Sequence, residues 1–157
     1  MKKAVYLDTT ILSYLVDERE GIRNFIDVTK NWWNTQRKYY HLFLSEDTMV
    51  ELKRGKYPNK DKALKEADKI EILGRVENID RIVGVYIENH LMPRKFEGDA
   101  FHLAYASFYK VDFLLTWNCN HLANANKRQH IRIINTRLGL AVPEIVTPLE
   151  LFIEEEK

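Results

Sequence analysis

Three acidic residues stand where a chain of alternating strands and helices would gather them. Asp8 closes the run Ala4-Val5-Tyr6-Leu7-Asp8, Glu51 sits within a polar helical stretch, and Asp99 opens another helix. A carboxylate directly after a short apolar strand emerges at the strand's carboxyl end, the edge of an open α/β sheet where ligands bind. Carboxylates gathered there without basic partners repel one another, and a hard divalent cation is the usual relief. The expected chemistry is hydrolysis of a phosphodiester. That reaction needs an activated water and stabilisation of charge on phosphorus and the leaving oxygen, and a carboxylate-held metal supplies both. Three carboxylates carry about −3, so one divalent ion leaves about −1 and a second would overshoot, arriving only with an anionic substrate.

The elements that must position these acids are legible as patterns. Short apolar runs at 4–7, 42–44, 70–73, 113–115 and 145–146 read as strands, and their lack of polar alternation suits a parallel sheet covered on both faces. Between them, Ile22, Phe25, Ile26, Thr29 and Trp33 share one helical face, and Ile79, Ile82, Val83, Tyr86 and Ile87 another. The alanine-rich stretch 99–110 is apolar nearly all round, as a helix packed closely on a sheet would be. Residues 53–69 read as two polar helices split at Tyr57-Pro58-Asn59. A last helix begins near Asn120 and ends at Gly139, and Pro143 leads to the final strand. This order predicts a three-layer α/β/α sandwich with a mainly parallel central sheet, one domain across residues 1–157.

Composition sets broad bounds. The chain has 157 residues, 45% of them apolar, with a formal net charge of +1, values ordinary for a globular domain and poor for a disordered one. A single cysteine, Cys119, excludes an internal disulfide and a thiolate metal cluster, and it reads as a small buried hydrophobe. No long apolar segment follows Met1-Lys2-Lys3, so a soluble cytoplasmic protein without a membrane anchor is expected.

Four motifs, Val5-Tyr6-Leu7-Asp8-Thr9, SEDTMVE (45–51), GDAFHLA (98–104) and DFLLTWN (112–118), together resemble the PIN-domain family, including VapC-like toxins of toxin-antitoxin pairs. The resemblance spans nearly the whole chain. It implies a PIN-like fold and a Mg²⁺- or Mn²⁺-dependent ribonuclease in which Asp8, Glu51 and Asp99 match the acidic metal-binding and catalytic positions. It also implies an RNA substrate, a cognate antitoxin protein and a homodimer. The family's fourth acidic position falls on Asn118, where this chain departs from the pattern. Two other readings stand beside the toxin: a processing or repair nuclease without an antitoxin, and a degenerate nucleic-acid-binding module.

Neighbouring residues carry secondary expectations. Thr9 and Thr116 offer hydroxyls to metal-bound water or phosphate, or simply cap turns. His102, one turn from Asp99, reads as a hydrogen-bonded packing residue sooner than a base. Glu46 and Glu97 rank below Glu51 and Asp99, and Asn120 reads as a helix cap, with a place in the site instead of Asn118 as the alternative. Trp32-Trp33 reads as one ring in the core and the other toward a partner, with base stacking as the alternative. Residues 113–143 hold no Asp or Glu, and Lys127, Arg128, Arg132 and Arg137 give them a charge of +4. Lys53, Arg54, Lys56, Lys60, Lys62 and Lys65 form a second basic stretch. Such flanks beside an acidic pocket suit a polyanion gripped by its backbone, with Lys127 and Arg128 the first candidates to touch phosphate.

Overall fold

A computed structural model describes residues 1–154. Five strands form one sheet: β1 (Lys3–Leu7), β2 (Tyr40–Ser45), β3 (Glu71–Leu73), β4 (Phe113–Leu115) and β5 (Glu144–Val146), each coinciding with an apolar run read from the sequence. They are ordered β3-β2-β1-β4-β5 and every pairing is parallel. Residues alternate between two buried layers. Tyr6, Leu114 and Ile145 face one core with α5 (Glu77–Glu88), α6 (Glu97–Phe108) and α7 (Ala125–Leu138). Val5, Leu7, Leu115 and Val146 face the other. That side carries α1 (Thr9–Leu15), α2 (Arg23–Thr35), α3 (Glu46–Arg54) and α4 (Lys60–Ala67). Both faces being covered explains why the strands lack polar alternation. The result is a PIN-like α/β/α sandwich.

Topology then dictates where chemistry can happen. From β1 the sheet grows through β2 to β3 on one side and through β4 to β5 on the other, so the strand order reverses between β1 and β4. A crevice opens at the carboxyl ends of the strands flanking such a switch point. Leu7 is in register with Leu115, so the residues after them, Asp8 and Thr116, leave the sheet side by side.

The helices follow their apolar faces with some corrections. α5 buries Ile79, Ile82, Val83 and Tyr86, and α6 buries every residue from Ala100 to Ser107. α2 buries Ile26, Thr29, Trp32 and Trp33, while Phe25 turns outward against the edge of Trp117, 5.0 Å away. Both tryptophans of the 32–33 pair are therefore in the core. Trp32 Nε1 donates to the Leu151 carbonyl (2.7 Å), and the Arg37 guanidinium covers the Trp33 ring (4.9 Å). α7 starts at Ala125, later than expected. Asn124 is its cap, accepting from the Asn126 amide (3.0 Å), so the capping role expected of Asn120 belongs to Asn124. Gly139 ends the helix at φ +71°, a left-handed conformation that a side chain would strain. Cys119 is exposed, not buried, because the 118–124 turn runs over the surface. No helix among the described residues is long and apolar enough to cross a membrane.

Candidate active site

Asp8 caps α1, so the break from strand to helix fixes its side chain. Its Oδ1 accepts from the Thr10 amide (3.0 Å) and the Thr10 hydroxyl (2.5 Å), and its Oδ2 accepts from the Thr116 hydroxyl. The same hydroxyls tie down the strand beyond: Thr10 Oγ1 accepts from the Trp117 amide (3.0 Å) and Thr116 Oγ1 from the Asn118 amide (2.9 Å). Two threonines thus stitch the ends of β1 and β4 around one carboxylate that is only 2% exposed. Burial raises the Asp8 carboxyl above its ordinary range, although the nearby charge of His102 and these hydrogen bonds pull the other way.

Asp99 lies in the first turn of α6, two residues inside the helix and so not its cap. Its Oδ2 accepts from Asn118 Nδ2 (2.8 Å), and Asn118 Oδ1 accepts from the His121 amide (3.1 Å). Asn118 therefore points its amide group, not its carbonyl, at the acid. Burial again raises the Asp99 carboxyl, opposed by the charge of His102, and the charge of Asp8 adds to the rise.

Glu51 is placed differently. His102 Nε2 lies 3.2 Å from its Oε1 and 3.4 Å from its Oε2, and the Thr9 hydroxyl donates to Oε2 (2.5 Å). A Cβ on Gly98 would stand 3.0 Å from Oε1, so the glycine just before Asp99 leaves the space this carboxylate fills. Burial would push Glu51 up, but the hydrogen bond and charge of His102, with Thr9 and Arg54, hold it below the usual range. His102 is 2% exposed. Burial alone would lower its imidazole, yet Tyr6, Glu51 and Asp8 outweigh that and keep it well above the usual histidine range.

The acids expected to stand without basic partners thus have beside them one group able to carry positive charge, the buried imidazole of His102. Among the described residues no group of three His, Cys, Asp or Glu side chains is arranged to hold a metal. Mg²⁺ asks for less than such a group, since it keeps several waters and takes one or two carboxylates beside substrate phosphate.

The remaining expected residues are placed as follows. Thr116 is fully buried with its hydroxyl spent on Asp8. Lys127 Nζ donates to the Leu91 carbonyl, and Arg128 Nη2 donates to the Ile145 carbonyl (3.3 Å) on edge strand β5. Glu46 accepts from the Arg75 amide (2.7 Å) and Asp47 pairs with the Arg75 guanidinium (3.2 Å), while Glu97 is exposed. Thr10 was not singled out in the sequence; its place two residues after a strand-ending aspartate is the signal for such a cap.

No protein-family model and no curated protein matches the chain. Solved structures do. The VapC20 toxin of Mycobacterium tuberculosis, described as cleaving the Sarcin-Ricin loop, aligns at 9% identity and TM-score 0.54, over 74% of this chain and 92% of that one. VapBC2 from Rickettsia felis, bound to a promoter DNA fragment, aligns at 16% and 0.56, over 92% and 98%. VapBC-1 from nontypeable Haemophilus influenzae aligns at 17% and 0.57, over 94% and 99%. At these identities the likeness establishes the architecture: the chain has the PIN-like fold of the VapC proteins.

Proposed function

We propose that the chain is a Mg²⁺- or Mn²⁺-dependent endoribonuclease and the toxin of a toxin–antitoxin pair. The observation that carries this is the Asp8–Asp99 pair, one buried and one half-buried carboxylate held on committed hydrogen bonds at the switch point of the sheet. The fold, shared with a toxin described as cleaving the Sarcin-Ricin loop and with two VapBC structures, supports the same reading. Asp8 and Asp99 would hold the cation, with Glu51 as the third acid beside them. When bound, such an ion activates a water and neutralises charge developing on phosphorus and the leaving oxygen.

The protein's own groups provide orientation. Thr10 and Thr116 fix Asp8, Asn118 fixes Asp99, and Thr9 and His102 fix Glu51. Lys127 and Arg128 on α7, with Lys53 and Arg54 after Glu51, supply cationic flanks for an RNA backbone. A homodimer, a cognate antitoxin and a cytoplasmic setting complete the proposal.

The test is cleavage of single-stranded RNA by the purified protein with Mg²⁺ or Mn²⁺ and with excess EDTA, beside Asp99→Asn. Cleavage is expected only with metal and only in the unmutated protein; cleavage that survives chelation would end the metal mechanism. Growth arrest on expression, relieved by a neighbouring small gene, tests the toxin role.

A further inference from the structure

One buried chain of hydrogen bonds leads away from the acids into the core. His102 Nδ1 lies 2.7 Å from the Tyr6 hydroxyl. That hydroxyl is shared with Ser45 Oγ (2.7 Å) and Thr48 Oγ1 (3.0 Å). Ser45 Oγ accepts from the Thr48 amide (3.0 Å), so the cap of α3 is part of the same cluster. Tyr6, Ser45 and Thr48 are fully buried, and every buried side-chain nitrogen and oxygen among the described residues has a partner. The imidazole is therefore fixed from behind by β1 and by the start of the helix that carries Glu51.

In front, the imidazole meets both oxygens of Glu51. Thr9 holds one of them and Gly98 leaves room for the other. Three elements, α1, α3 and α6, converge on this one carboxylate. Among the described residues it is not grouped with Asp8 and Asp99 as a three-carboxylate metal cluster.

We propose that His102, backed by Tyr6, is the positioning residue for Glu51: it holds that carboxylate in the Gly98–Thr9 cradle, off the cation, so that Asp8 and Asp99 alone hold the metal. The assignment rests on the nuclease reading and deepens it. A buried donor that orients a neighbour acts through it, and loss of such support usually costs about 10–100-fold in activity.

The experiment uses the full chain and four variants: His102→Leu, Tyr6→Phe, Glu51→Gln and Asp99→Asn. Mg²⁺ binding is measured by calorimetry without RNA, and kcat and KM are measured with RNA. Glu51→Gln is expected to leave Mg²⁺ affinity close to wild type, while Asp99→Asn loses it. His102→Leu frees Glu51 to join the ion, so Mg²⁺ binding tightens while kcat falls about 10–100-fold with KM little changed. Tyr6→Phe, the milder change, moves both quantities the same way by less and guards against a His102→Leu protein that does not fold. Mg²⁺ affinity lost as fully in Glu51→Gln as in Asp99→Asn would make Glu51 an ordinary ligand and overturn the proposal. So would His102→Leu weakening Mg²⁺ binding. In metal-free protein the ¹⁵N resonance of His102 Nε2 should shift on Glu51→Gln while Nδ1 stays; an unmoved Nε2 also overturns it. This last readout needs neither metal nor cleavage. A chain that binds no Mg²⁺ and cuts no RNA would sink the nuclease reading and still report on the contact.

Discussion

Replacing Asp8 by asparagine exchanges one oxygen for an NH₂ group where both oxygens accept hydrogen bonds. The amide must keep its oxygen toward Thr10, which donates twice, and so turns its NH₂ to Thr116. The Thr116 hydroxyl already accepts from the Asn118 amide and can accept once more, but its own hydrogen then has no partner. A buried donor left so costs about 1–3 kcal/mol. Against this, the substitution removes a buried charge whose ionisation burial opposes and which raises its neighbour Asp99. Each unit of such upward shift corresponds to about 1.4 kcal/mol at neutral pH. The two effects oppose each other, so metal-free Asp8→Asn should lose less than the full cost of that donor, at about 2–4 °C per kcal/mol.

Added metal separates them. At a Mg²⁺ concentration of about 100 Kd the wild type gains about 2.7 kcal/mol, or roughly 5–11 °C at that same conversion, and the variant gains little. The pH dependence has a definite sign. A carboxyl raised in the fold contributes stability that is complete below the unfolded value of 3.8 and lost as pH climbs through the folded one. The variant should therefore improve relative to wild type from pH 3.5 to 7. The assay is thermal denaturation with EDTA and with Mg²⁺ across that range. Equal Mg²⁺ shifts in both proteins, or a metal-free loss above about 3 kcal/mol, would refute the reasoning.

Three further outcomes follow from the geometry. Gly98→Ala sets a Cβ 3.0 Å from Glu51 Oε1, a carboxylate that Thr9 and His102 hold in place, so RNA cleavage should fall; cleavage at the wild-type rate would show that the placement of Glu51 is immaterial. Asn118→Asp exchanges the donor 2.8 Å from Asp99 for a like charge, costing about 1–3 kcal/mol in EDTA and tightening Mg²⁺ binding by calorimetry; Asn118→Ala should weaken cleavage far less than Asp99→Asn, and an unchanged Mg²⁺ affinity in Asn118→Asp would leave Asn118 a turn cap. Burial pushes the Tyr86 phenol up to about 12, against hydrogen bonds to Ser107 and Asn135. Its stabilisation is complete below the unfolded value of 10.0 and lost as pH rises toward about 12, on the order of 3 kcal/mol in all. Tyr86→Phe should flatten the alkaline loss of stability by that amount, and denaturant melts that run parallel in the two proteins from pH 10 to 12 would contradict it.

Local pattern alone placed all five strands, the buried faces of α5 and α6, the Gly139 stop and the two acids at strand and helix starts. Those properties repeat over two to four residues and need no knowledge of neighbours. The partners of the acids are another matter. Thr116 reaches Asp8 across 108 residues, and His102 reaches Glu51 across 51. Such contacts exist only because the strand order sets β4 beside β1 and seats α3 and α6 together over the carboxyl edge. The sequence shows three negative charges and a histidine; whether that histidine faces one acid, all of them or the core is decided by which elements become neighbours. The same reason put both tryptophans inside, turned Cys119 out and aimed the amide of Asn118 at Asp99. Hydrophobic spacing determined the layers of this protein, while long-range packing decided which side chains share the charge of its site.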